Sequence, residues 1–116
     1  MRIIDDTIEA GTIDDHNLVT IESSFTKTSW THIAVVFESG SLTLYVDGDE
    51  VASNPDVGYD TVSNHGDEGA IGRAGGSHSQ DIWDTTGNYF EGHIDATSIY
   101  SKALSPERIE RLANEY

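Results

Sequence analysis

The chain predicts an all-β fold, an antiparallel sandwich of two sheets with one short C-terminal helix lying on a sheet edge, and three observations carry that expectation. Its first half is a series of short runs rich in Ile, Val and Thr, separated by polar turn formers. One of those runs, "LTLYVDGDEVA", alternates on both sides of an Asp-Gly pair, the strongest short-range hairpin signal. A period of three to four residues appears only in the last stretch, "LSPERIERLANEY".

The elements follow in order. "DTIEAGTI" (6–13) and "NLVTIESSF" (17–25) read as strands with a polar connection between them. "WTHIAVVFE" (30–38) holds an apolar, β-branched run too short for a helix. In "GSLTLYVDGDEVAS" (40–53), Leu42, Leu44 and Val46 take one face while Thr43 and Tyr45 take the other. Two polar segments, 53–69 and 73–88, then flank a short strand expected at "AIG" (70–72). "YFEGHIDATSIY" (89–100) reads as a further strand whose glycine marks a bulge or close packing. In the last stretch Ser105 suits an N-cap and Pro106 the first helical position. Ile109, Leu112, Ala113 and Tyr116 form its apolar stripe, and Arg108 stands where a capping box would place Glu.

Composition narrows the function. A chain of 116 residues makes one domain, 1–116, able to bury roughly two thirds of its unfolded surface. It has no cysteine, so neither disulfides nor a zinc–thiolate site can form. Twenty-one acids face six bases, a net charge of −15. Such a surface repels phosphate backbones, which argues against nucleic acid, and it disfavours anionic membranes. The acids are spread through the chain, as expected where acidity maintains hydration in strong brine, and a halophilic source is the expectation. No stretch approaches the length of a membrane span, so membrane insertion is not expected. "MRIIDDTIEA" is acidic and lacks the apolar core of a signal peptide. Either the chain belongs to a longer secreted protein, or it acts outside cells without entering the secretory route by itself.

The acidic tip Asp47-Gly48-Asp49-Glu50 tests whether the chain is an enzyme. An EF-hand loop needs oxygen ligands at alternating positions, a later glycine and a terminal Glu, and this tip has neither the glycine nor the Glu in place. A glycosidase needs two carboxyls facing across a cleft, which neighbouring acids on a hairpin tip cannot provide. The tip therefore reads as a turn. His16, His32, His65, His78 and His93 have no metal-site spacing, and no nucleophile-elbow or phosphate-loop motif is present. No catalytic residue is expected.

The strongest binding candidate is the segment around Trp83. An exposed indole stacks on the apolar face of a sugar ring, and Asp81, Asp84 and Asn88 would serve the hydroxyls. The alternative for Trp83 is a small satellite core beneath its own loop. The same acids would also suit a loop calcium site, although no spacing rule supports one.

Four motifs in order also carry a resemblance: "WTHIAVVF", "LTLYVDGDEVAS", "IG" and "FEGHIDATSIYSKALSPERI". Together they resemble the concanavalin A-like jelly roll of laminin G-like domains, from Trp30 to about Leu112. Ala96 and Thr97 depart from the acid and aliphatic residues usual after Ile-Asp. The stretch ahead of Trp30 has room for only about two or three strands, fewer than similar domains have. The domain is thus either unusually small, incomplete on its N-terminal side, or completed by another chain. The resemblance implies a structural calcium near Asp95; the alternative is a buried Asp accepting backbone hydrogen bonds at the sheet rim. It makes His32 structural, and Trp30 and Tyr100 core or rim aromatics. It further implies a non-catalytic adhesion module that recognises a glycan or glycoprotein on a surface. The alternative is a structural subunit of an extracellular assembly, such as a haloarchaeal virion (capsid, turret or tail protein) or a surface layer. Extracellular or virion-surface location, and an oligomer or a place in a larger assembly, are the corresponding expectations.

Overall fold

The computed structural model describes residues 1–14, 17–26, 29–60, 71–72 and 89–115. Strands β1 (Arg2–Ile4), β2 (Thr7–Asp14) and β3 (Asn17–Ser24) form one antiparallel sheet in that order. Strands β4 (Ile33–Glu38), β5 (Ser41–Val46) and β6 (Asp49–Asn54) form a second. Helix α1 (Pro106–Ala113) follows near the C-terminus. The arrangement is the β-sandwich expected from the sequence.

Alternation decides which side chains meet between the sheets. Ile8 and Ala10 of β2 and Ile21 of β3 project from the first sheet, and Leu42 and Leu44 of β5 from the second. Val57, from the loop after β6, completes this buried cluster. Leu44 is fully buried and Leu42 nearly so. Burial on that scale stabilises by about 1.5–3 kcal/mol per side chain. Phe37 and Tyr59 close one end, their ring centroids 6.1 Å apart.

Turn chemistry fixes the register of the second sheet. Asp47 and Gly48 have φ of 53° and 92°, the paired positive values of a type I′ turn, and Val46 stands opposite Asp49 as the two-residue loop requires. A second such turn joins β4 to β5 through Ser39 (φ 48°) and Gly40 (φ 79°). The pairing between β5 and β6 shifts at Leu44/Tyr45, where Tyr45 pairs with Glu50 and Leu44 with Ala52. Val51 is therefore the extra residue of a β-bulge.

The structure differs from the sequence-based expectation in four places. β1 forms a strand that the sequence pattern did not single out, anchored by the forked ion pair of Arg2 with its register partner Glu9 (3.1 and 3.2 Å). Ile71 and Gly72 lie in a bend instead of the strand expected at 70–72. Residues 89–100 form no strand beyond an isolated bridge at Tyr89, and every one is exposed. An alternating pattern becomes a strand only against a neighbour. Among the described residues this segment keeps one backbone bond, from the Phe90 N–H to the Gly72 carbonyl (2.8 Å), and Ala96 turns the chain at φ 53°. Finally, α1 does not lie along a sheet edge but rests on the turn and outer face of the second sheet. A Cβ on Gly48 would stand 3.0 Å from Glu110 Cα and 3.3 Å from Ala113 Cβ.

Candidate functional site

The outer face of the second sheet builds a cleft. Register sets Val36 opposite Thr43 and Glu38 opposite Ser41, and Tyr45 continues the same face. Ala103, Leu104, Ser105 and Pro106, leading into α1, form the facing wall. The half-open space is about 380 Å³, within the range of small-ligand sites. Hydroxyl-bearing Ser41, Thr43, Tyr45 and Ser105 share its lining with the Glu38 carboxylate and the apolar Val36, Ala103, Leu104 and Pro106. None of these lining residues is basic.

The helix start that forms one wall is set by local chemistry. Ser105 has extended backbone angles and its Oγ accepts the Arg108 N–H (3.4 Å), with Pro106 at the first helical position. The Glu107 carboxyl is held below its usual range by its own backbone N–H and by the Ser105 hydroxyl. Ile109 is buried, and Leu112 and Ala113 are half-buried, as the apolar stripe predicted. Tyr45 is 6% exposed. Burial raises its phenol above the ordinary value, with smaller contributions from the negative charges of Glu50 and Glu107.

The hairpin tip is a turn, and its first acid has a structural task. The Asp47 carboxylate accepts the His32 N–H (2.8 Å), while the Asp47 N–H donates to the His32 carbonyl (2.8 Å). Together they tie the approach to β4 to the end of β5. His32 lies just ahead of β4, half-buried, and its Nδ1 is buried with no partner among the described residues. Asp49 and Glu50 are exposed at the start of β6.

Asp95 is exposed, which corrects the expectation of a buried Asp at the sheet rim. Its Oδ1 accepts the N–H of the next residue, Ala96, at 2.7 Å. Calcium needs six to eight oxygens, and among the described residues no group of three His, Asp or Glu side chains could hold a metal. Trp30 is a rim aromatic, 70% exposed, with its ring centroid 6.4 Å from that of His93. Tyr100 is exposed as well. Asp81, Trp83, Asp84 and Asn88 lie outside the described residues.

The cleft was not found from the sequence. Its one local signal is the alternation that sends Thr43 and Tyr45 away from the core. The other wall comes from residues about sixty positions later in the chain, a proximity that only folding creates.

The Laminin_G_3 family model, described as the concanavalin A-like lectin/glucanases superfamily, matches residues 5–110. A crystal structure of an S-layer domain-containing protein from Clostridium thermocellum is similar, at 28% identity and a TM-score of 0.63. The likeness covers 92% of this chain and 51% of that one, so the chain spans about half the length of that structure. A search of curated proteins gave no match. With the match running through both sheets and into α1, the chain belongs to the laminin G-like domains of the concanavalin A-like lectin/glucanases superfamily.

Proposed function

We propose that this chain is a non-catalytic binding module that recognises a glycan or glycoprotein on a surface. The observation that carries the reading is the cleft on the outer face of the second sheet. Among the described residues, hydroxyl groups, the Glu38 carboxylate and small apolar patches share its lining, and none of these is basic. That mixture suits a neutral polyhydroxyl ligand, which offers both hydroxyls and apolar ring faces. Trp83, with Asp81, Asp84 and Asn88, remains the second candidate contact on the strength of its sequence setting. The test is a glycan array or cell-wall pull-down with the wild type, Thr43→Trp and Trp83→Ala. Thr43→Trp should block the cleft and abolish capture. Trp83→Ala should weaken binding by on the order of 1 kcal/mol or more if the indole stacks on the ligand. A wild type that captures no glycan or glycoprotein would end this reading; unchanged binding by either variant would remove that region from the site.

A second reading is a structural subunit of an extracellular assembly, a surface layer or a haloarchaeal virion component. The 28% identity to an S-layer domain-containing protein supports it, and both readings place the chain outside cells or on a virion surface. Chromatography at molar salt separates them: an assembly subunit elutes as an oligomer without any glycan present.

A further inference from the structure

The polar side chains on the sheet side of the cleft have no task in the fold. Among the described residues, no hydrogen bond or ion pair reaches the side chains of Glu38, Ser41, Thr43 or Tyr45. Alternation sets Ser41, Thr43 and Tyr45 in a row along β5 at intervals of about 7 Å. Register places Glu38 beside Ser41 at one end of that row. Tyr45 is only 6% exposed, a degree of burial at which a phenol ordinarily has a partner. Burial, and then the charges of Glu50 and Glu107, hold its proton in place, so the hydroxyl stays a donor. The row therefore offers a ligand three hydroxyls that donate or accept and one carboxylate that only accepts.

The setting of the row is acidic. Glu38 lines the cleft and Glu107 stands in the first turn of α1, while Lys102 precedes the facing wall without lining it. The start of α1 would ordinarily attract an anion, but here its donors are taken. Pro106 has no N–H, and the Glu107 N–H meets its own carboxylate. The N–H groups of Arg108 and Ile109 are both met by Ser105. We propose that the cleft sorts sugars by charge, with Glu38 as the residue that decides: amine-bearing sugars bind ahead of neutral ones, and carboxylated or sulfated ones are excluded. This rests on the cleft reading given above and adds a charge class to its ligand. The ammonium of an amino sugar makes a charge-assisted bond to the free carboxylate, and a neutral hydroxyl donates to it more weakly. A carboxylate or sulfate meets the same group with no opposite charge nearby. The net charge of −15 also repels acidic ligands from a distance, but molar salt screens that repulsion far more than a contact inside the cleft.

Two matched series of immobilised oligosaccharides test the order. One is built from glucosamine, glucose and glucuronic acid, the other from galactosamine, galactose and galacturonic acid. Binding is read in molar salt at a pH of about 6, where the amines are protonated and the carboxylates ionised. In at least one series the wild type should hold the amine form about threefold or more tightly than the neutral form, and it should leave the acid form unbound. Glu38→Gln should bring the amine and neutral forms level. Glu22→Gln removes the same charge from an exposed position on the other sheet, and it should keep the order. Tyr45→Phe should weaken the amine and neutral forms alike without moving the urea midpoint, because its hydroxyl has no partner to lose. An order that survives Glu38→Gln, or that Glu22→Gln also abolishes, would overturn the inference. Equal capture of all three forms, or a preference for an acid form, would overturn it and leave the cleft reading in place. Capture of none of the six would overturn it as well, and the glycan array with Thr43→Trp then decides the cleft reading by itself.

Discussion

At the scale of single residues, Asp47 shows how an acid in a suggestive cluster can be occupied by the backbone. It stands at φ 53°, where most L residues are strained, and its carboxylate meets the His32 N–H. Asp47→Ala removes the acceptor and retains the strain, so urea unfolding should register a loss of about 1–3 kcal/mol. Asp47→Asn should lose less, because Asn tolerates this conformation and its side-chain oxygen can still accept. Equal destabilisation by the two variants would contradict the role. Asp95 makes the same point, since its carboxylate serves the neighbouring Ala96 N–H. The turn at Asp47 was legible in the sequence because Asp-Gly specifies a local conformation. The bond to His32 was not, since it joins residues 15 positions apart.

At the scale of elements, Gly48 couples the β5–β6 hairpin to α1. Its φ of 92° disfavours a side chain, and a Cβ would meet Glu110 Cα at 3.0 Å. Gly48→Ala should therefore destabilise by about 1–2 kcal/mol or more. The effect should extend to α1 as faster amide exchange across residues 106–113; unchanged exchange there would mean that the hairpin does not hold the helix. The helix itself was legible because its cap, first-turn proline and apolar stripe are local signals. Residues 89–100 show the limit of such signals: Ile94, Ile99 and Tyr100 follow a family motif, yet all three are exposed and unpaired in a strand.

At the scale of the whole molecule, charge and surface govern behaviour. A net charge of −15 on 116 residues makes the compact state repel itself. The Debye length falls from about 10 Å at 0.1 M salt to about 3 Å at 1 M. The melting temperature should rise steeply over that range, as read by circular dichroism against salt concentration. A salt-independent midpoint would remove the halophilic reading of the composition.

The sequence by itself determined strands β2 to β6, the type I′ turn at Asp47-Gly48, the capped helix and the family, because each rests on neighbours along the chain or on ordered motifs. Only the tertiary structure decided where α1 rests, that residues 89–100 form no ladder, and that a cleft opens between Thr43 and Leu104. Those features depend on which distant segments meet. Alternation and propensity specify what a strand can offer to a neighbour, but not whether a neighbour is there.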